Sequence, residues 1–261
     1  MSESLREIIF DANAVQTTYG RRRFLTSMAV ACGSIALVPM IGRGAGITNM
    51  LQAQTSGETE PNLSDTDILN YALTLEYLES TYYLRADSGS PLPTGATIAS
   101  IDPDGNGLPG TVTGLSGTFP SPSTITLSSF FRQVRDHEIT HVLALQSALG
   151  NAALPRSAFK FSFPATVYQS ALGFMQTAQA LEDTGVTAYL GQVGNLDSTS
   201  ILGTAGTIAG VEAEHAAAVR MALSLPVSPN DANFDTPATT TQVLAIAGGF
   251  ITQKPTLPFP K

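Results

Sequence analysis

Apolar residues return every three or four positions in four long stretches of this chain, and between them the pattern dissolves into Gly, Pro, Ser and Thr. The first stretch opens at Ser64-Asp-Thr-Asp67, a capping residue with an acid three positions later. It predicts a helix from Asp65 to about Asp87. The second predicts a helix over Leu127–Leu149, stopped by Gly150-Asn151. A third runs from about Ala165 to Val193, and a fourth, capped by Asp197 or Ser198, ends before Pro226. Residues 88–125 hold no long periodic segment, an unusual length for a loop in a compact domain; short strands are expected around Thr97–Ile101 and Gly110–Thr118. Residues 47–63 read as a linker. Residues 227–261 read as a tail with one short helix between Thr240 and Ile251. Four long helices and little strand predict an all-α, four-helix-bundle domain over residues 64–226.

The apolar stripes are interrupted in a regular way. Glu138 lies among Phe131, Val134, Val142 and Leu145, with His141 one turn on, so a Glu-x-x-His pair occupies one helix face. Glu212 and His215 repeat the device among Ala205, Ile208, Ala209, Ala216 and Val219. The other two helices each carry one inward carboxylate: Glu76, beside Leu69, Ala72 and Leu73, and Glu182, beside Met175, Ala178 and Val186. Each has a tyrosine seven residues later on the same face, Tyr83 and Tyr189.

Four glutamates in one core repel one another and are costly to desolvate. Two divalent cations resolve the conflict, since four carboxylates and two such ions sum to neutrality. Carboxylate oxygens mixed with imidazole suit iron or manganese, so two Fe or two Mn ions are expected. Composition sharpens the case. Only 13% of residues are charged, about half the usual share, so charges on apolar stripes need a reason. The single cysteine, Cys32, excludes a disulfide framework or a thiolate zinc site, and a net charge of −8 without a long Lys/Arg run gives no support to nucleic-acid binding.

Several neighbours compete for roles. Glu79 lies one turn after Glu76 on nearly the same face and is an alternative ligand. His137 points about 100° away from Glu138 and suits a surface position or one behind a ligand. Glu214 falls off the inward face. Gln179, a turn before Glu182, and the two tyrosines are expected to support the ligands from behind. The run Asp102-Pro-Asp-Gly-Asn-Gly107 is similar to the start of a calcium loop, but Thr113 stands where the bidentate Glu belongs.

At the N-terminus, Arg21-Arg22-Arg23-Phe24-Leu25 precedes a moderately apolar stretch, Ser27 to Ile41, shorter than the roughly 20 residues of a membrane span. Residues 1–46 resemble a twin-arginine export signal, which implies a periplasmic or extracellular protein.

The stretches ILNYALTLEYLESTYY (68–83), RDHEITHVLAL (135–145), ALEDTGVTAYL (180–190) and VEAEHAAAV (211–219) together resemble the ferritin-like superfamily of di-iron and di-manganese carboxylate proteins. Within it the chain is similar to the exported bacterial family related to plant desiccation-related and fungal stress proteins. The resemblance implies that Glu138 and Glu212 bridge two metals, that Glu76 and Glu182 are terminal ligands, and that His141 and His215 serve one metal each. It also implies redox chemistry on peroxide or dioxygen under oxidative or desiccation stress, catalase-like or ferroxidase-like. A non-catalytic, metal-stiffened protective protein is the alternative. The export segment, the long excursion and the tail depart from ferritins proper and argue against a storage cage, while a homo-oligomer stays open.

Overall fold

The computed structural model describes residues 63–105, 112–119 and 124–256. The expected export signal and the expected linker, up to residue 62, lie outside the described residues. The bundle consists of α1 (Asp65–Ala86), α3 (Leu127–Leu149), α4 (Ala171–Gln192) and α5 (Thr199–Ala222). A single turn, α2 (Ile98–Ile101), lies in the excursion, and α6 (Thr240–Ala247) follows the bundle. A two-stranded antiparallel pair, β1 (Lys160–Phe161) with β2 (Ile251–Gln253), ties the tail to the α3–α4 connection. Among the described residues no helix is long and apolar enough to cross a membrane.

Local chemistry sets the helix ends. Ser64 and Asp67 form a reciprocal capping box at α1, while Thr126, Ser170 and Ser198 cap α3, α4 and α5 through their hydroxyls. Gly150 ends α3 at φ 53°, a conformation that glycine adopts without steric cost. Two sequence expectations fail here. The strand expected at Thr97–Ile101 is a helical turn, because Thr97 and Ser100 cap each other's backbone N–H groups. The third bundle helix starts at Ala171 and not Ala165. Pro164 is followed by a 3₁₀ turn over Ala165–Tyr168, and Ser170 then opens the helix proper. Of the expected strand at Gly110–Thr118, the described part is turn, with one bridge from Thr118 to Thr126.

Helix α1 is buried on nearly every side from Ile68 to Leu84, so it forms the inner member of the bundle. It packs chiefly on α3, and α4 packs chiefly on α5. An aromatic layer fills the core beyond the carboxylates. Tyr82 stacks on Phe174 at 5.0 Å and donates to its carbonyl at 2.8 Å, and Phe131 meets Phe174 edge-on at 4.9 Å.

The excursion is pinned by two buried arginines, Arg135 and Arg156, and a half-buried one, Arg85. Arg135 donates to the Asp87 and Pro91 carbonyls at 2.6 and 2.8 Å. Arg156 donates to the Ile101 carbonyl at 2.7 Å and to Thr81 Oγ1 at 3.0 Å. Arg85 grips Asp102 through two nitrogens at 2.8 and 3.1 Å, so the first residue of the calcium-like run serves as an ion-pair partner. These contacts satisfy the backbone carbonyls of a loop that would otherwise expose or orphan them.

Candidate metal centre

The four bundle helices bring Glu76, Glu138, His141, Glu182, Glu212 and His215 into one buried cluster. All four carboxylates are fully buried and the two imidazoles nearly so. The six fall into two overlapping nests: Glu76, Glu138, His141 and Glu212 in one, and Glu138, Glu182, Glu212 and His215 in the other. Within each nest one ligand atom per residue lies within 4.8 Å of all the others. Glu138 and Glu212 belong to both, whereas each of the remaining four serves one. That sharing follows from the i, i+3 spacing on α3 and α5, which face each other's histidines across the core.

The distances show how Glu138 is divided. His141 Nδ1 lies 3.1 Å from its Oε2, and His215 Nδ1 lies 2.9 Å from its Oε1. His141 Nδ1 is also 3.3 Å from Glu76 Oε2 and 3.2 Å from Glu212 Oε1, and His215 Nδ1 is 3.2 Å from Glu182 Oε2. The outer oxygens of the unshared carboxylates are held by the expected tyrosines. Tyr189 donates to Glu76 Oε1 at 2.5 Å, and Tyr83 donates to Glu182 Oε1. Each unshared carboxylate is thereby fixed at one oxygen and directed inward by the other.

Several of the inward atoms have no hydrogen-bond partner. Glu138 Oε1, Glu182 Oε2, both oxygens of Glu212 and His215 Nδ1 are buried without one. Close approach without hydrogen-bond alignment is what lone pairs converging on a common centre produce. Buried polar atoms are almost always satisfied, so a cluster of orphans calls for a ligand. Oxygen and imidazole donors in this mixture fit hard or borderline first-row cations.

Electrostatics follow from the crowding. Burial raises Glu76 to about 7 despite the opposing His141. Burial, then Glu138 and Glu76, raise Glu212, and burial likewise raises Glu182 against the pull of His215. Glu138 is the exception: burial pushes it up, but the two imidazoles beside it hold it below the usual carboxylate range. Burial disfavours charge on His215, yet Glu182 and Glu138 outweigh that and carry it up to about 11; His141 is raised for the same reason by Glu76, Glu138 and Glu212. In the metal-free chain the crowded carboxylates thus favour the protonated imidazoles.

The supporting residues differ from expectation in part. Gln179 does not reach the cluster; one turn along α4 it donates to Asp183, which is paired with Arg220. Its i, i+4 relation to Asp183 outcompetes Glu182, whose carboxylate turns inward. His137, exposed at its edge, reaches across to α5: its Nδ1 lies 2.9 Å from His215 Nε2. Glu214 is exposed. Glu79 is only 3% exposed and sits at the border of the cluster, raised well above its ordinary value by burial and then by Glu212, Glu182, Glu138 and Glu76. Room for it comes from Gly185 on α4. A Cβ there would stand 2.6 Å from Glu212 Oε2 and 3.3 Å from Glu79 Oε1. The sequence signal for this was a glycine in mid-helix, inside the ALEDTGVTAYL stretch, where glycine costs about 1 kcal/mol relative to alanine.

A family model for the ferritin-like domain matches residues 64–225. The chain belongs to the ferritin-like domain family. A search of curated proteins finds no match to it. The matched span of this ferritin-like chain contains all four bundle helices and both Glu-x-x-His pairs, and its buried Glu/His cluster can bind metal.

Proposed function

We propose that this ferritin-like protein holds a carboxylate-bridged pair of iron or manganese ions and acts on peroxide or dioxygen. The observation that supports this best is the set of orphaned donor atoms of Glu138, Glu182, Glu212 and His215 converging in two nests that share Glu138 and Glu212. Glu138 and Glu212 would bridge the ions, Glu76 and Glu182 would each close one, and His141 and His215 would supply one imidazole to each. Bound there, two ions of this type supply one-electron steps that can be paired.

The chain's own residues do the rest. Tyr83 and Tyr189 fix the unshared carboxylates by hydrogen bonds, so these ligands are set before an ion arrives. The aromatic layer around Tyr82, Phe131 and Phe174 keeps bulk water from one side of the cluster. Protons displaced from Glu76, Glu182, Glu212 and the two imidazoles leave when metal enters. The twin-arginine segment supports export of a chain folded and loaded in the cytoplasm, with service outside it in oxidative or desiccation stress.

Oxygen release from peroxide and oxidation of Fe²⁺, each assayed on purified protein loaded with Mn or Fe, test the proposal. Turnover in either assay that disappears in Glu138→Gln is expected. A fully loaded protein silent in both assays is instead a metal-stabilised protective protein.

A further inference from the structure

The cluster contains one more carboxylate than two divalent ions balance. Glu79 is buried on α1 and lies one turn from Glu76. Its Oε1 and Glu212 Oε2 both lie against the backbone of Gly185, within 3.3 and 2.6 Å of the point a Cβ would occupy. The chain accepts a mid-helix glycine and a fifth buried carboxyl group to bring both side chains against the same point of α4. A carboxylate with only a packing role at this position would be more cheaply replaced by leucine or glutamine.

We propose that Glu79 is a fifth carboxylate for the metal pair, engaging on the Glu212 side and favouring a trivalent ion over a divalent one. The inference rests on the di-metal function proposed above. Its logic is charge and position. Four carboxylates neutralise two divalent ions; the fifth is matched when one ion carries three charges. Glu79 lies outside both four-residue nests and meets Gly185 together with Glu212, a member of each, so it adds negative charge near a shared ligand. In a buried, low-dielectric site such a charge acts far more strongly on a trivalent than on a divalent ion.

Redox-inert probes test this without turnover. Ga³⁺ and Mn²⁺ are titrated into the full chain against a competing chelator, for the parent and for Glu79→Gln, with Glu214→Gln as a control that removes one exposed charge. Glu79→Gln is expected to lose at least about tenfold in affinity for Ga³⁺ relative to Mn²⁺, which for a one-electron couple corresponds to about 59 mV. Glu214→Gln should match the parent. Glu79→Leu is the second variant; its metal-free form should melt higher than the parent, because a buried carboxyl group has been replaced by an apolar side chain, while showing the same loss of Ga³⁺ preference. An unchanged Ga³⁺/Mn²⁺ ratio in either Glu79 variant would overturn the proposal, as would metal-free variants that melt lower with parental ion preference. If the parent takes up neither ion, the di-metal function itself fails. If the parent takes both and the ratio is insensitive to Glu79, only the role of Glu79 fails.

Discussion

His137 Nδ1 lies 2.9 Å from His215 Nε2, with the two rings 5.2 Å apart and 19° from parallel. With His215 Nδ1 turned toward Glu138 and Glu182, the Nε2 proton is the one left to donate, and His137 accepts it. No histidine performs this service for His141, since the chain has only three. The two nests are therefore inequivalent. His137→Ala should weaken the ion at His215 by about 10–100-fold while leaving the other nearly unchanged. His137→Gln, which retains an acceptor, should recover part of the loss. Metal titration calorimetry resolves the two events, and equal affinities in parent and His137→Ala would refute the tether.

Gly185 offers a test in which stability and metal binding move in opposite directions. Gly185→Ala adds a methyl group that must displace the Glu212 carboxylate, but it also removes a helix-interior glycine worth about 1 kcal/mol. The metal-free variant should melt at or above the parent temperature, and the rise in melting temperature on adding metal should shrink. A variant that melts lower without metal yet gains as much from metal as the parent would contradict the packing described for Glu212.

The pH dependence of the metal-free chain has a definite sign. Glu76, Glu79, Glu182 and Glu212 have folded pKa values above the unfolded 4.5, about 7 for Glu76. Such groups contribute stability that is complete below 4.5 and lost as pH rises through the folded value. His215, at about 11 against 6.5 unfolded, likewise loses its contribution as pH climbs above 6.5. Glu138 alone is lowered, so its contribution is present above 4.5 and lost in acid. Melting temperature without metal should fall from about pH 5 to about pH 8, and the gap between metal-loaded and metal-free protein should widen over the same window. Differential scanning calorimetry at several pH values reads both, and a metal-free melting temperature that climbs with pH would be incompatible with the cluster as described.

Much of this architecture is legible in the sequence, for physical reasons. Helix periodicity and capping residues place α1 and α3 to within a residue, because Ser64 and Gly150 act locally. The i, i+3 spacing brings Glu138 with His141 and Glu212 with His215 into one cluster, since a helix face is a local property. Contacts across helices are not local, and there the sequence falls short. Helical spacing places His137 about 100° from Glu138, but not against α5. It ranks Glu79 as an alternative to Glu76, whereas the fold keeps both buried and uses Gly185 to make space. Gln179 was expected behind Glu182 and is held instead by Asp183, an equally near neighbour that sequence spacing could not rank.

The metal content of the purified full chain, read by native mass spectrometry after loading with Mn²⁺ or Fe²⁺, bears most directly on the centre. Two ions per chain are expected in the parent and in Glu214→Gln. Glu138→Gln and Glu212→Gln should lose both, because each shared carboxylate belongs to both nests, while His141→Ala and His215→Ala should each lose one. A parent that retains no stoichiometric metal, or four ligand variants that all keep the parental two ions, would contradict a di-metal centre in this bundle.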